Sequence, residues 1–453
     1  MRKNLIGSIT PALLVITGAF VVIIFALLLA VSLQLDFSHR EVASERSINI
    51  AEAGVNYYRW HLAHSPDDFV SDVGIHDYLD PQGSSIGKYD IEVTAPSQGS
   101  SIVTIRAIGW ANDFPNVKRT IAARYGRPSL AQYSFLQNAS SWYGSGITVN
   151  GRVHSNNGIR MDGANLSLVT SAKETYTCGS ETGCNPAQEK PGVWGAGGDQ
   201  GLWQFPVPAI DFNAISFDFS VMKTSAQSDG LYLPASGYSG YHFIFVNDGT
   251  VRVNRVTGTN YYYGYTPEDG CQRRYQRITN ETLMGTYSLA NIPIIFAEDN
   301  LWVEGTVKGK TTVVAARFPI ESSNTDVWIP NNILYAAYDH SNTLGLIAQR
   351  DVYFARDIPT DFRVDAALMA QKGKIIRHGY FSSCQGTSTG AVKNSLTING
   401  SIISFNKSYW NYGSGPSSGF ITRTIAYDTD LIYQPPPYFP TSGEYEFISW
   451  IEE

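Results

Sequence analysis

The sequence predicts a mainly β protein carried on one long N-terminal α-helix, with a small antiparallel sheet and a larger β-solenoid after it. Three observations predict this. An apolar run from Pro11 to Leu35 holds no charged residue; apolar positions at helical spacing follow it; and short alternating runs separated by Gly, Asn, Asp or Ser fill the remainder.

The helix comes first in the chain. PALLVITGAFVVIIFALLLAVSLQL is long enough to cross a bilayer, which takes about 20 apolar residues. Arg2 and Lys3 precede it, so the positive-inside tendency places the short basic end in the cytoplasm and the bulk outside. A cleaved signal peptide is the competing reading, but its apolar region is typically about 7 to 15 residues. Beyond Leu35, residues Ile48, Ala51, Val55, Tyr58 and Leu62 advance in steps of three and four, with Glu41, Arg46, Glu52 and Arg59 between them. The helix is therefore expected to continue as a stalk and to end near Ser65-Pro66, because the residue before proline resists helical angles. Residues 1–66 form this first segment.

Residues 67–130 read as a small meander. Alternation recurs at 89–94, 102–108 and 117–123, with turn residues at 97–101 and 111–116. One face of such a sheet is buried, and the stalk is its nearest apolar partner.

From about Ala131 the runs shorten. Those at 147–151, 159–163, 301–305, 327–329, 352–354 and 396–400 alternate and end at turn residues, and several later ones recur about every 22 to 28 residues. A parallel β-helix over 131–177 and 292–453 is the preferred reading; an antiparallel sandwich would also give many short strands. Residues 178–291 break the repeat and read as an α+β insertion. It holds a proline-extended segment at 205–212, a helix over 213–227 with Phe217, Val221 and Met222 on one side, and a hairpin around Asn247-Asp248-Gly249.

Ala51-Glu52-Ala53-Gly54-Val55 resembles the AEAG element of PilX-type minor pilin N-termini, and Gly7-Ser8 sits where a prepilin peptidase would cut, behind the basic leader. At the fifth residue after that cut, where major pilins usually carry glutamate, this chain has Ala12. The later portion resembles the β-helical ectodomains that accompany PilX-like N-termini, through 151–156, 206–212, 303–309, 345–348, 365–371 and the closing 435–440. The resemblance implies a noncatalytic component of a type IV pilus or pseudopilus apparatus, anchored in a bacterial membrane, exported, and in contact with pilins or assembly proteins.

Composition narrows the alternatives. Thirty-three Lys and Arg against 40 Asp and Glu give a net charge of -7 without a basic stripe, which argues against nucleic acid as a partner. Four cysteines, Cys178, Cys184, Cys271 and Cys384, fall outside the membrane. Cys178 and Cys184 are the natural local pair, leaving Cys271 for Cys384, although four cysteines allow three pairings. No Cys or His spacing suggests zinc. Gly305 to Thr311 looks like a phosphate loop but has Glu304 where the first glycine belongs. His154 lacks a triad partner placed by sequence, and Asp248, Asp339-His340 and Asp428-Thr429-Asp430 lack calcium-loop spacing. No catalytic residue, cofactor or metal ligand is expected. Tyr261, Tyr262, Tyr263, Tyr409, Trp410 and Tyr412 lie in Gly- and Asn-rich stretches and are candidate contact aromatics for glycan or protein. Beside the pilin-like component, two functions stay open: a permanently anchored adhesin, and a polysaccharide-degrading β-helix enzyme, which would need carboxylates gathered in a groove.

Overall fold

The computed structural model describes residues 9–97, 100–212, 214–386, 388–413, 417–441 and 444–453, with the backbone alone at 12 and 214–218. The chain forms one long N-terminal helix followed by mainly β structure, with a small antiparallel sheet and a large parallel one. It divides into two compact units, Met1–Ala95 with Ile102–Gly126 and Glu444–Glu453, and Pro96–Ser101 with Arg127–Gly443.

In the first unit, helix α1 spans Ile9–His64, and its 56 residues extend about 84 Å at 1.5 Å per residue. The described side chains of Pro11 to Leu35 are exposed, and none of the most apolar window is buried within the chain. From Ala43 onward one stripe turns inward: Ala43, Ser47, Ile50, Ala51, Val55, Tyr58 and Leu62 are all buried. They pack on β1 (Gly74–Leu79), β2 (Ser85–Thr94), β3 (Ile102–Ala111) and β4 (Lys118–Gly126). All the pairings are antiparallel, and the fifth strand, Glu446–Glu452, pairs with β4. That strand corrects the assignment of the whole of 292–453 to the solenoid. Its partner lies more than 300 residues earlier, so no local pattern could place it. The edge strand β1 was also unread, because its side chains are half to fully exposed and its alternation is weak.

Small residues let α1 approach the sheet. A Cβ added at Gly109 would lie 2.3 Å from the Ser47 carbonyl oxygen and 2.4 Å from the Ala51 amide nitrogen. One added at Gly54 would lie 3.0 Å from the Tyr89 ring. Ser47 Oγ lies 2.7 Å from the Ala43 carbonyl oxygen and 2.8 Å from the Val117 carbonyl oxygen, so its one hydroxyl hydrogen is shared between them.

The second unit is a parallel β-helix of three faces. On the first, strands pair in parallel so that Ile295, Val313, Leu346, Leu368, Ile402, Phe135, Val153 and Val169 form one inward ladder. Their neighbours Phe296, Val314, Ile347, Met369, Ile403 and Leu136 form an outward ladder that is also buried. Burial on both sides explains the near-continuous apolar runs there, where a half-exposed strand would alternate. The second face stacks Leu301, Val327, Val352 and Ile375, and the third stacks Ile333, Val364, Ile398, Ile425 and Val149.

Stacking order differs from chain order. The coil that follows 401–404 is the earlier segment 135–137, and the stack continues through 152–155 and 169–171 to 203–204. At the opposite end, Leu231–Leu233 pairs with Ile294–Ala297. The chain returns between the two ends along the outside of the first face. Val207 N–H donates to the Ser171 carbonyl, Ile210 N–H to Asn156 Oδ1, and Gln371 Nε2 to the Phe212 carbonyl. Helix α2 (Ala214–Asp229) then lays Phe219, Met222 and Ala226 into the outward ladder.

These pairings correct the reading of 178–291 as a single insertion. Val193–Trp194, Trp203–Gln204, Leu231–Leu233 and Gly240–Val246 are rungs of the solenoid. The outgrowth is the long hairpin of Thr250–Thr266 and Gly270–Ser288. In α2 the inward stripe is 219, 222 and 226, and Val221 is exposed, so the predicted stripe was rotated; the Phe217 side chain lies outside the described residues.

Candidate functional site

Gly7 and Ser8, the expected processing site, lie outside the described residues. Pro11 to Leu35 form the exposed apolar half of α1. Of the pilin-like element, Ala51 and Gly54 face the sheet, Ala53 is half-buried, and Glu52 points to solvent. The element therefore places two small residues where helix and sheet approach most closely.

Disulfides join Cys178 to Cys184 and Cys271 to Cys384. The first closes a tight loop packed on Tyr176 and Trp194. The second ties the long hairpin to the segment after the second face. Beneath that hairpin the outward side of the face carries Trp302, Trp328 and Tyr353 in register, with the Trp328 and Tyr353 rings 4.3 Å apart. Trp302 Nε1 donates to the hairpin's Gln276 carbonyl at 2.7 Å, and Gln276 Oε1 accepts from Arg356 N–H at 2.7 Å.

The candidate contact aromatics divide between surface and interior. Tyr261 is 40% exposed, with the Arg273 guanidinium 3.7 Å from its ring centre. Tyr262 donates to Asp357 at 2.6 Å, and Tyr263 meets Tyr261 edge-on at 5.7 Å. Tyr409 is half-buried and donates to Glu268 at 2.6 Å. Trp410 and Tyr412 are buried, which corrects their reading as surface contact aromatics. Trp410 packs against Phe354 on the solenoid core, and Tyr412 donates to the Arg377 carbonyl. Local Gly and Asn content marks a turn but does not say which side chains fold under it.

The other polar candidates have structural partners. His154 is buried, with Nδ1 2.9 Å from Thr170 Oγ1 and Nε2 3.0 Å from Asn156 Oδ1. Burial holds it below its ordinary pKa, against the Asn156 contact. Asp248, Asp339 and Asp428 each accept a backbone N–H two residues on, which is turn chemistry. Gly305 and Lys310 lie in consecutive strands. Among the described residues, no group of three or more His, Cys, Asp or Glu is arranged to hold a metal ion.

A cleft opens where the stack closes on itself. On the first and third faces the seam is paired, Ile402 with Phe135 and Ile425 with Val149. On the second face Tyr409 bridges to Ile376, whereas Ser141–Tyr143 pairs with Ile159–Met161 in a separate sheet. Among the described residues no strand pairing joins Tyr409 to Ser141–Tyr143, although the two lie on consecutive coils. A cavity of about 210 Å³ occupies the gap. The buried Phe135, Tyr143 and Trp410 and the more exposed Trp142 and Tyr409 line it, and among the described residues Lys407 and Arg423 are the two charged ones on its wall. Beyond it, Arg160 lies between the Trp142 and Trp194 rings, 4.4 and 4.8 Å from their centres. Sequence reasoning missed this site because its walls come from 135–147 and 407–425, which only the reordered stacking brings together.

Two buried histidines face the hairpin. His242 lies 2.8 Å from Glu281 and 3.4 Å from Glu304; burial pushes its pKa down, but the two carboxylates outweigh burial and raise it. His378 is fully buried on the outer aromatic ladder, 4.9 Å from the Tyr353 ring. Burial, reinforced by Arg274, Lys374 and Arg377, lowers its pKa to about 3. An unfolded histidine titrates near about 6.5, so below that pH the unfolded chain binds a proton that the folded one refuses. Stability contributed by neutral His378 is thus full above about 6.5 and falls by about 1.4 kcal/mol per unit toward pH 3. His242 has the opposite sign: its contribution is full below about 6.5 and is lost as pH rises through its raised pKa. The His378→Phe variant should recover about 2 kcal/mol of the stability lost between about pH 6 and about pH 4.5, read by chemical denaturation at both pH values.

No family model matches the chain, and no curated protein matches it. Among solved structures it is similar to the competence-associated pilin ComZ from Thermus thermophilus, at 13% identity over 91% of this chain and 98% of that chain, with a TM-score of 0.30. A score that low carries no argument about role.

Proposed function

We propose that the chain is a noncatalytic, membrane-anchored surface protein, a minor-pilin-like component of a type IV pilus or pseudopilus apparatus, with its N-terminus cytoplasmic and its β-helix exported. The observation that carries this reading is α1 itself: one continuous helix whose first half exposes only uncharged side chains and whose second half packs on a small antiparallel sheet. The uncharged, predominantly apolar run from Pro11 to Leu35 exceeds the roughly 20 residues that a bilayer core requires. In such a protein the anchor serves first as a membrane span and then as a packing helix against pilins or assembly proteins. The Ala51 and Gly54 face is already used within the first unit, so filament contacts fall to the apolar half.

A permanently anchored adhesin is the second reading, favoured by the aromatic cleft at the solenoid seam. The mass of the protein isolated from its native membranes separates the two. A mature chain beginning at Ser8 supports the pilin-like component; a chain retaining Met1 to Gly7 overturns it in favour of the adhesin.

A further inference from the structure

The seam cleft is built from donors and ring faces. Trp410 is only 7% exposed, and its Nε1–H has no hydrogen-bond partner among the described residues. Ser141 Oγ and the Tyr143 hydroxyl are neighbours on the same wall and interact with each other, and among the described residues neither meets another protein acceptor. A buried indole N–H left unmade costs about 1 to 3 kcal/mol, so a ligand acceptor placed there gains what the fold leaves unused. The Arg423 guanidinium makes no hydrogen bond or ion pair among the described residues. Lys407, which donates to the Glu181 carbonyl, supplies a second positive charge. Among the described residues no carboxylate lines the cavity; Glu181 and Glu268 act on Lys407 from beyond the wall.

We propose that the cleft binds one anionic sugar residue, a uronic acid unit of a surface glycan, with its ring on the Trp142 and Tyr409 flanks and its carboxylate on Arg423 and Lys407. A volume of about 210 Å³ lies below the range of drug-sized pockets, which begins near about 300 Å³, and so suits a single ring. Aromatic flanks supply the flat apolar surface that a pyranose face covers, and a guanidinium binds a carboxylate through two parallel N–H donors. The Trp410 indole N–H then meets a sugar oxygen. Neutral sugars lack the charge, and aromatic acids lack the oxygens that Trp410 and Ser141 would engage.

The inference rests on the second reading above, that the β-helix meets a partner by contact. Its test uses the full chain in detergent micelles, titrated by calorimetry with glucuronate, glucose and benzoate in parallel. Saturable binding of glucuronate, at least about tenfold tighter than glucose or benzoate, is expected. Arg423→Gln should weaken glucuronate about tenfold and leave glucose unchanged. Trp410→Phe should weaken glucuronate about fivefold. Arg423 is exposed on its strand, and an unchanged unfolding midpoint for Arg423→Gln separates lost binding from lost fold; Lys407→Gln serves as the second variant. Equal affinity for glucuronate and glucose, preference for benzoate, or binding unaffected by both charge variants would overturn the proposal. Failure of glucuronate to bind the folded chain would overturn the ligand, while the mature N-terminus decides separately the reading on which it rests.

Discussion

Replacing Cys271 and Cys384 together by serine lowers the stability of the β-helix unit by about 4 to 5 kcal/mol, whereas replacing Cys178 and Cys184 costs about 2. The difference follows from the separations, 113 residues against 6, because a cross-link removes more freedom from an unfolded chain when it closes a longer loop. The two bridges also protect different contacts. Cys271 sits in the hairpin that covers Trp302, Trp328 and Tyr353, so without the tie the hairpin lifts more readily and that aromatic ladder meets water. Denaturant titration of the two double variants, followed by tryptophan fluorescence, measures both. An equal loss for the two pairs would contradict the assignment of the hairpin as a clamped cover.

Gly109→Val should detach the stalk half of α1 from its sheet, at a cost of about 3 kcal/mol or more. The atoms in the way are the backbone oxygen of Ser47 and the backbone nitrogen of Ala51, not side-chain ends that could swing aside. Either the helix moves out along its whole packed stripe, or β3 distorts between β2 and β4. Amide hydrogen exchange over 43–62 reads the outcome: protection should collapse in Gly109→Val and stay within about 0.5 kcal/mol of native in Glu52→Ala, which changes a solvent-facing position of the same helix.

Much of the fold was legible because single elements obey short-range rules. The uncharged run Pro11 to Leu35 and the 3.6-residue stripe from Ile48 to Leu62 fix α1, and Ser65-Pro66 ends it at His64. Strands β2 and β3 alternate as a half-buried sheet should, while β4 buries Ile121, Ala122 and Ala123 in succession. The apolar runs at 327–329 and 352–354 recur at coil spacing and pair in parallel. What escaped was long-range order. Phe135 stacks on Ile402 because the chain doubles back along the outside of the solenoid, and no periodicity carries that information. Glu446–Glu452 completes a sheet begun before residue 80. The seam cleft was hidden for the same reason, since Trp142 and Tyr409 become neighbours only through the reordered stack. Trp410 and Tyr412 were misjudged because a turn-rich sequence can still tuck its rings beneath the turn.

The central claim is that α1 spans a membrane and holds the β-rich units outside it. Proteolysis of right-side-out membrane vesicles containing the full chain tests it most directly. If the claim holds, added protease removes both β units and leaves a protected fragment that ends shortly after Leu35 and stays in the membrane through an alkaline wash. Full protection of the β units, or release of the intact chain by that wash, would contradict it.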